Sequence, residues 1–320
     1  MKKYVVGIDL GGTNIKVGII ENGARILNKI SAPTGNYKNK KALIDGLAMI
    51  CLRLVDSSGL NKDDISGIGI GAPGLIDSSR GVIHELVNIK GFKEVPLKRL
   101  IEDRTDIPTF LDNDVNVMTL GELYHGAGRG AVNMLCVTLG TGVGGGVVIN
   151  GKLYRGSSLS AGEIGHMPLN EKGPACGCGG SGCMEKSVGN NYIIRVARES
   201  IQAGNKSLIT KLVSNNLGKI TPEIISAAAK KGDRLAISLW REIGAHLGVT
   251  LAGAVNLLNP DMIVIGGGVA DAGRVLFDSI RRTVRQRAMK VPARRAKIVK
   301  AKLGQDAGLI GAAVLVELNT

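Results

Sequence analysis

The chain has 320 residues, which is long enough for two domains of ordinary size, each with its own apolar core. Hydrophobic residues make up 44% of it and aromatic residues only 3%, so the composition excludes a disordered chain and predicts a core of Val, Ile, Leu and Ala. The formal net charge of +14 leaves nucleic acid, an anionic membrane surface and a polyanionic substrate such as a nucleotide as partner classes.

The amino-terminal pattern predicts a strand, a glycine turn and a second strand. The strand-like residues Val5-Val6-Gly7-Ile8-Asp9 lead into Leu10-Gly11-Gly12-Thr13, and residues 17–20 form the strand that leads out. The same design recurs at residues 135–150, around Gly140-Thr141-Gly142. A unit repeated at this distance predicts two related halves.

The rest of the chain alternates between helical and strand-like patterns. Before the repeat, we expect a helix at 40–57, strands at 65–70 and 108–111, and a helix from residue 115. After it, Asp233 is expected to cap a long helix that reaches about residue 258, with Gly244 and Gly248 allowing close packing. A strand at 262–265 ends in Gly266-Gly267-Gly268, a last strand is expected at 297–303, and a closing helix at 307–318 is expected to pack back on the first domain.

Two glycine turns are the candidates for phosphate binding. The sequence contains no P-loop of the form G-x-x-x-x-G-K-[ST]. The pattern G-x-G-x-x-G occurs at residues 69–74 and 140–145, but strand-like sequence follows each copy, whereas a dinucleotide site needs a helix there. We therefore expect the turns at 9–13 and 140–144 to face each other and to present backbone N–H groups to the phosphates of a nucleotide.

The first turn also carries side-chain chemistry. Thr13 adds a hydroxyl donor, Asp9 is placed to hold a hydrated Mg²⁺, and Lys16 is placed to neutralise phosphate charge. The alternative is that Asp9, Gly11 and Gly12 only make a tight hairpin.

Several short polar side chains, in the segment Asp112-Asn113-Asp114-Val115-Asn116, lie between an apolar strand and a helix. A carboxylate at a strand end can accept a hydroxyl proton, and a neighbouring amide can orient the substrate. Asp114 and Asn113 would fill these roles. The alternative is that the segment only caps the helix.

A cluster of one imidazole and three thiols predicts a metal site. His166, Cys176, Cys178 and Cys183 have the ligand count of a closed tetrahedral Cys₃His zinc site, whose role is structural because no position is left open. Glu163 and Glu185 flank these ligands and would be held rigidly by them, unless they are solvated surface carboxylates.

The sequence gives less direct evidence about the cellular compartment and the surface of the protein. A tight Cys cluster without a secretory leader predicts a reducing cytoplasm, and no window of 18 residues is uniformly apolar, so no membrane span is expected. The basic run from Arg281 to Lys302 lacks interleaved aromatic residues for base stacking, and we interpret it as a solvated helix and strand face.

Several of these segments together resemble the ROK family of sugar kinases and regulators, in the family's order and over nearly the whole chain. They are Asp9-Leu-Gly-Gly-Thr13, Gly69-Ile-Gly-Ala-Pro-Gly74, Asn113-Asp114, Glu163-Ile-Gly-His166 and Cys176-Gly-Cys-Gly-Gly-Ser-Gly-Cys183-Met-Glu185. One departure is Asp112, where many relatives carry a glutamate.

The resemblance implies an α/β, two-lobed actin-like ATPase (ribonuclease H-like) fold with a duplicated βββαβα core and a zinc-bearing loop. Residues 1–120 and 304–320 would form a smaller lobe, residues 121–303 a larger one, and the sugar would lie in the cleft. The implied activity is ATP-dependent phosphorylation of a hexose at its 6-hydroxyl, with glucose expected first. Kinases of N-acetylhexosamines (GlcNAc or ManNAc) and transcriptional regulators remain alternatives, as does polyphosphate or ADP as the donor.

The resemblance also assigns roles to residues. Asp114 would be the catalytic base, Asn113, Glu163, His166 and Glu185 would bind sugar hydroxyls, and Gly74 would contribute a backbone contact. The nucleotide would contact Asp9, Gly11, Gly12, Thr13, Lys16, Gly140, Thr141 and Gly142 near its phosphates, and Gly266, Gly267 and Gly268 near the adenosine.

The implied cofactors are a structural Zn²⁺ and the Mg²⁺ that accompanies ATP, and the implied partners are hexose and ATP. We expect a homodimer or homotetramer without a membrane partner. Specific nucleic-acid binding is not expected, because Asp9 begins the phosphate motif almost at the first residue and leaves no room for a preceding helix-turn-helix.

Overall fold

The structure is a computed structural model that describes residues 3–86 and 92–320. Its strands are β1 (Tyr4–Leu10), β2 (Asn14–Glu21), β3 (Arg25–Pro33), β4 (Ile65–Ala72), β5 (Ile76–Asp77), β6 (Val82–Glu85), β7 (Lys93–Val95), β8 (Thr109–Asn113), β9 (Met134–Leu139), β10 (Val143–Ile149), β11 (Lys152–Tyr154), β12 (Met262–Gly266) and β13 (Lys297–Lys300). Its α-helices are α1 (Lys40–Ser57), α2 (Leu97–Thr105), α3 (Asp114–Tyr124), α4 (Glu185–Val188), α5 (Asn190–Gln202), α6 (Leu208–Leu212), α7 (Pro222–Lys230), α8 (Arg234–Leu258), α9 (Arg274–Arg287), α10 (Lys290–Arg295) and α11 (Ala307–Glu317).

The chain divides into two compact units. The first comprises Met1–Gly130, Leu153–Ala161 and Lys302–Thr320, and the second comprises Ala131–Lys152 and Gly162–Ala301. The predicted division after residue 120 falls inside α3, which packs along α11 and therefore stays in one unit as far as Gly130. The return of residues 153–161 to the first unit was not predicted. Residues 1, 2 and 87–91 of the predicted smaller lobe lie outside the described residues.

The first unit is built on a mixed five-stranded sheet of order β3-β2-β1-β4-β8. β2 is antiparallel to β1 and β3, whereas β4 is parallel to β1 and β8. Successive residues of β1 alternate between faces: Val6 and Ile8 join the core cluster with α1, and Val5 packs with α11. A small antiparallel sheet, β5-β6-β7, belongs to the same unit.

Helix α11 is buried along nearly its whole length, from Ala307 to Val316. It packs directly on β1 and β4, as the sequence predicted for the closing helix. Glycines on these strands make the contact possible, because a Cβ atom at Gly69 would overlap the carbonyl of Ala312, and one at Gly7 would lie 2.6 Å from the carbonyl oxygen of Leu309.

The second unit repeats the strand order of the first. Its sheet is β11-β10-β9-β12-β13, with β10 antiparallel to β9 and with β12 parallel to both β9 and β13. The predicted repeat of strand, turn and strand is therefore present in both units, which makes this an α/β structure with two equivalent mixed sheets.

Helices α8 and α9 form the main helical layer of the second unit. The carboxylate of Asp233 accepts a hydrogen bond from the Ala236 N–H at 2.8 Å, which confirms the predicted cap of α8. A Cβ atom at Gly244 would lie 2.7 Å from the Leu276 carbonyl oxygen, and one at Gly248 would lie 2.5 Å from the Thr283 Cβ, so both glycines permit the predicted close packing.

The last strand is shorter than predicted. It was expected at 297–303 but ends at Lys300. The backbone N–H groups of Lys302 and Leu303 donate instead to the buried carboxylate of Glu122, at 2.8 to 3.0 Å. Among the described helices, none is long and apolar enough to cross a membrane.

Candidate functional site

The candidate base lies where β8 passes into α3. Asn113 is the last residue of the strand and Asp114 the first of the helix. The Asn113 Oδ1 accepts hydrogen bonds from the N–H groups of Val115 (2.9 Å) and Asn116 (3.3 Å), so this side chain does cap the helix. Its amide nitrogen donates to the Gly74 carbonyl at 3.2 Å, which brings two predicted substrate residues together. Asp114 accepts from the N–H of Val115 at 2.9 Å.

Asp112 directly precedes Asn113 and Asp114 in the chain, and its side chain is buried, with 2% of the residue exposed. Its Oδ2 is 2.7 Å from Nε and 2.6 Å from an Nη of Arg155. Its Oδ1 accepts from the amide of Asn116 (2.9 Å) and from the backbone N–H of Asn113 (2.7 Å). A bidentate ion pair between the half-buried Arg155 and the buried Asp112 therefore ties residues 153–161 to the end of β8.

The turn between β1 and β2 is a tight hairpin, in which the Gly11 N–H donates to the Asn14 carbonyl at 2.9 Å. Thr34 braces it, because its hydroxyl donates to the Gly11 carbonyl (2.7 Å) and its N–H to the Thr13 carbonyl (2.8 Å). Gly12 and Thr13 are exposed, and within the described residues no hydrogen bond uses their N–H groups. The turn is thus a hairpin in which two backbone N–H donors are available to an anion, and its role in phosphate binding stays a prediction.

The Asp9 carboxylate lies beside this turn, near the first residues of α11. Lys16 Nζ is 3.3 Å from its Oδ2 and also donates to the Gln305 carbonyl at 2.9 Å. A Cβ atom at Gly308 would lie 2.7 Å from the Asp9 Cγ, so no larger residue fits there without displacing the carboxylate. Burial raises the pKa of the Asp9 carboxyl above its usual range, and the charge of Lys16 offsets this only in part.

The second glycine turn, at Gly140-Thr141-Gly142, joins β9 to β10 in the second unit. The Gly140 N–H donates to the Gly142 carbonyl at 3.0 Å. Glu185, the first residue of α4, accepts from the N–H of Val143 at 2.9 Å. This predicted sugar ligand therefore also braces the predicted phosphate turn.

The third glycine segment follows β12. Gly267 has a φ of +83°, and a Cβ atom there would overlap the Leu139 carbonyl at the end of β9. Both facts require glycine at this position. A Cβ atom at the neighbouring Gly268 would lie 3.6 Å from Oε1 of Glu223, at the start of α7.

The predicted metal ligands are brought together. One ligand atom from each of His166, Cys176, Cys178 and Cys183 lies within 4.8 Å of all the others. The Cys176 Sγ is 3.7 Å from the His166 Nδ1, and the Cys178 Sγ is 3.6 Å from the Cys183 Sγ. Burial raises the pKa of the Cys183 thiol to about 12. The other ring nitrogen of His166 lies 3.8 Å from the Glu163 carboxylate, so these two predicted sugar ligands are also neighbours.

The family model described as the ROK family matches residues 5–318. The chain belongs to the ROK family. A glucokinase from Halalkalibacterium halodurans is 40% identical over 316 residues, which cover 98% of this chain and 95% of that protein. A ROK family glucokinase from Streptomyces griseus, crystallised with glucose and AMPPNP, has a TM-score of 0.84 and 34% identity over 98% of this chain and 99% of its own.

A regulator of the ROK family also shares this fold. The crystal structure of a ROK family transcriptional regulator, a homologue of the E. coli MLC protein, has a TM-score of 0.90 at 26% identity. The match covers 99% of this chain and 78% of that one. Overall fold alone therefore does not separate a ROK kinase from a ROK regulator.

Sequence reasoning missed four residues that support the site in this ROK protein. Asn116 belongs to the polar segment 112–116 that the sequence singled out, but its contact with Asp112 joins the first turn of α3 to the end of β8. Thr34, Arg155 and Gly308 had no sequence signal, because their partners are distant in sequence and each residue type is common in the chain.

Proposed function

We propose that this ROK protein is an ATP-dependent glucokinase, which transfers the γ-phosphoryl group of ATP to the 6-hydroxyl of glucose. The observation that carries the proposal is the 40% identity to the H. halodurans glucokinase, because it extends over 98% of this chain and 95% of that protein. Similarity to the S. griseus glucokinase, crystallised with glucose and AMPPNP, supports the same pair of substrates.

In this proposal Asp114 is the general base. Its carboxylate would take the proton from the 6-hydroxyl as that oxygen attacks the γ-phosphorus and ADP leaves. The position is suited to the role, because Asp114 begins α3 directly after β8 and the Val115 N–H orients one of its oxygens. Asn113, held by α3 and by the Gly74 carbonyl, would position the sugar.

The two glycine turns are proposed as the phosphate contacts, and Gly266, Gly267 and Gly268 as contacts near the adenosine. The N–H groups of Gly12 and Thr13 would donate to phosphate oxygens, as would donors of the Gly140-Thr141-Gly142 turn. Asp9 would hold a hydrated Mg²⁺, which would supply charge neutralisation on the phosphates. The matching strand orders of the two sheets support the actin-like form of this ATPase fold.

We also propose that His166, Cys176, Cys178 and Cys183 hold one zinc ion. With ordinary zinc bond lengths, the edges of a tetrahedral Cys₃His site are about 3.6 to 3.8 Å long. The contacts of 3.6 and 3.7 Å between ligand atoms fit this size. Four protein ligands leave no open position, so the ion would be structural and would fix the loop that leads into Glu185. No disulfide joins any of the five cysteines in the described residues, which supports a reducing, cytoplasmic location.

The second candidate substrates are GlcNAc and ManNAc, and the similarity to a ROK regulator makes a ROK-type transcriptional regulator the third candidate. An ADP-release assay across glucose, mannose, fructose, GlcNAc and ManNAc separates them. We expect the highest kcat/KM for glucose. A higher value for an N-acetylated sugar would reassign the substrate, and no ADP release with any sugar would contradict the kinase. Polyphosphate in place of ATP tests the donor, and light scattering tests the proposed homodimer or homotetramer.

A further inference from the structure

A cationic pocket lies in the second unit, between the carboxyl half of α9, α10 and β13. Its volume is about 730 Å³, within the range of small-molecule sites. The floor is apolar and includes Val284, Ala293 and Ile298, which are buried. Five cationic side chains line it: Arg281, Arg285, Lys290, Arg294 and Lys297.

Among the residues that the structure describes, Arg281 is the one cation of this set that forms an ion pair. Arg281 donates twice to the Ile298 carbonyl, at 2.9 and 3.2 Å, and pairs with Asp278 at 3.3 Å. Asp278 is itself shared with Arg274. Within the described residues, no ion pair involves the other four cations, and no acidic residue lines the pocket.

Helix electrostatics explain only part of this arrangement. Arg285 and Arg294 lie in the last turns of α9 and α10, where positive charge is favourable. Lys290 is the first residue of α10, where positive charge is unfavourable, and Lys297 lies on a strand. Helix electrostatics therefore account for neither lysine.

We propose that this pocket binds an anion with two or more linked phosphate groups. Guanidinium and ammonium groups are the usual protein partners of phosphate, and a set of four otherwise unpaired cations matches a multiply charged ligand better than a single phosphate. The pocket shares no residue with those proposed for the phosphates of ATP. The proposal is therefore independent of the glucokinase proposal.

The test uses inorganic tripolyphosphate as the probe, titrated calorimetrically without added metal. The informative variant is Lys290→Gln with Lys297→Gln, because both side chains are exposed and neither makes an ion pair in the described structure. The matched control is Lys211→Gln with Lys219→Gln, which removes the same charge from exposed positions of the same unit.

We expect the pocket variant to bind tripolyphosphate at least about tenfold more weakly than the control, since a charge-assisted hydrogen bond is worth about tenfold or more in affinity. Orthophosphate should bind the unaltered protein more weakly than tripolyphosphate. Both variants should keep kcat within about twofold, because neither alters a residue proposed for catalysis. Equal binding by the two variants would overturn the proposal, and equal affinity for orthophosphate would overturn the multivalent ligand class.

Discussion

The two compact units hold their candidate site residues by different means. In the first unit, contacts within the polypeptide hold the residues around the proposed base: Asp112 is fixed by Arg155 and Asn116, and Asn113 by α3 and the Gly74 carbonyl. In the second unit, the residues 176–183 lie in an irregular loop crossed by two isolated β-bridges, and four side chains converge there as a metal site would require. The first arrangement should be sensitive to loss of a single charge and the second to loss of an ion.

The largest effect is expected at the base itself. Asp114→Asn preserves the shape of the side chain and removes its basicity. Because general-base catalysis is worth roughly 10²–10⁴-fold, kcat should fall at least about 100-fold while the Kd for glucose changes little. Steady-state kinetics and glucose titration provide the measurement. Near-normal kcat in folded protein would move the base to Glu163, Glu185 or Asp112.

Substitution of Arg155 should break the ion pair that holds Asp112 in the first unit. Arg155→Leu leaves the Asp112 carboxylate buried without its charge partner, so the free energy of unfolding should fall by about 3 kcal/mol. Urea unfolding measures this loss. Arg195→Leu, which breaks the exposed Arg195–Glu199 pair, is the control and should cost less than about 1 kcal/mol.

A double variant distinguishes the loss of the ion pair from the loss of side-chain packing at position 155. Arg155→Leu combined with Asp112→Asn removes the uncompensated charge and should recover part of the lost stability. Equal stability of the single and double variants would contradict the role given to the buried charge.

Loss of metal should affect the second unit. The purified protein should carry about one zinc per chain by elemental analysis, and Cys178→Ser should release it. Because the loop leads into Glu185, we expect the KM for glucose to rise along with the fall in kcat. Ser181→Ala, in the same loop, should retain the metal. Active protein without zinc, or an unchanged KM in metal-free Cys178→Ser, would contradict the proposed structural ion.

The smallest effect is a pH-dependent change in stability at Asp9. A raised pKa means that the folded state binds this proton more tightly than the unfolded chain, so ionisation of Asp9 opposes folding as pH rises through the raised pKa. Asp9→Asn should therefore be slightly more stable than the parent protein at neutral pH, and the difference should vanish below the usual pKa of an aspartate. Chemical unfolding across pH tests the sign.

The same variant should impair catalysis. Without the carboxylate, Mg²⁺-ATP should bind more weakly, and added Mg²⁺ should restore part of the activity. A gain of stability with a loss of activity would indicate that the buried Asp9 carboxylate lowers stability but is needed for catalysis.

The features predicted from sequence were those encoded in short stretches of chain. The hairpin turns, the cap at Asp233 and the clustering of His166 with three cysteines follow from patterns within about 20 residues. The pairing of Asp112 with Arg155 and the contact of Gly308 with Asp9 join distant segments, and no local pattern specifies them. Strand β3 was also missed, because it is mostly exposed and lacks an apolar stripe.

The position of α11 has a consequence for the order of events during synthesis. This helix fills one face of the first unit's sheet, yet residues 307–317 follow every residue of the second unit along the chain. A ribosome therefore delivers the whole second unit before it delivers the last piece of the first core. Until then, the glycine-lined face of β1 and β4 is uncovered in the nascent chain, and the amino-terminal unit becomes the later of the two to mature.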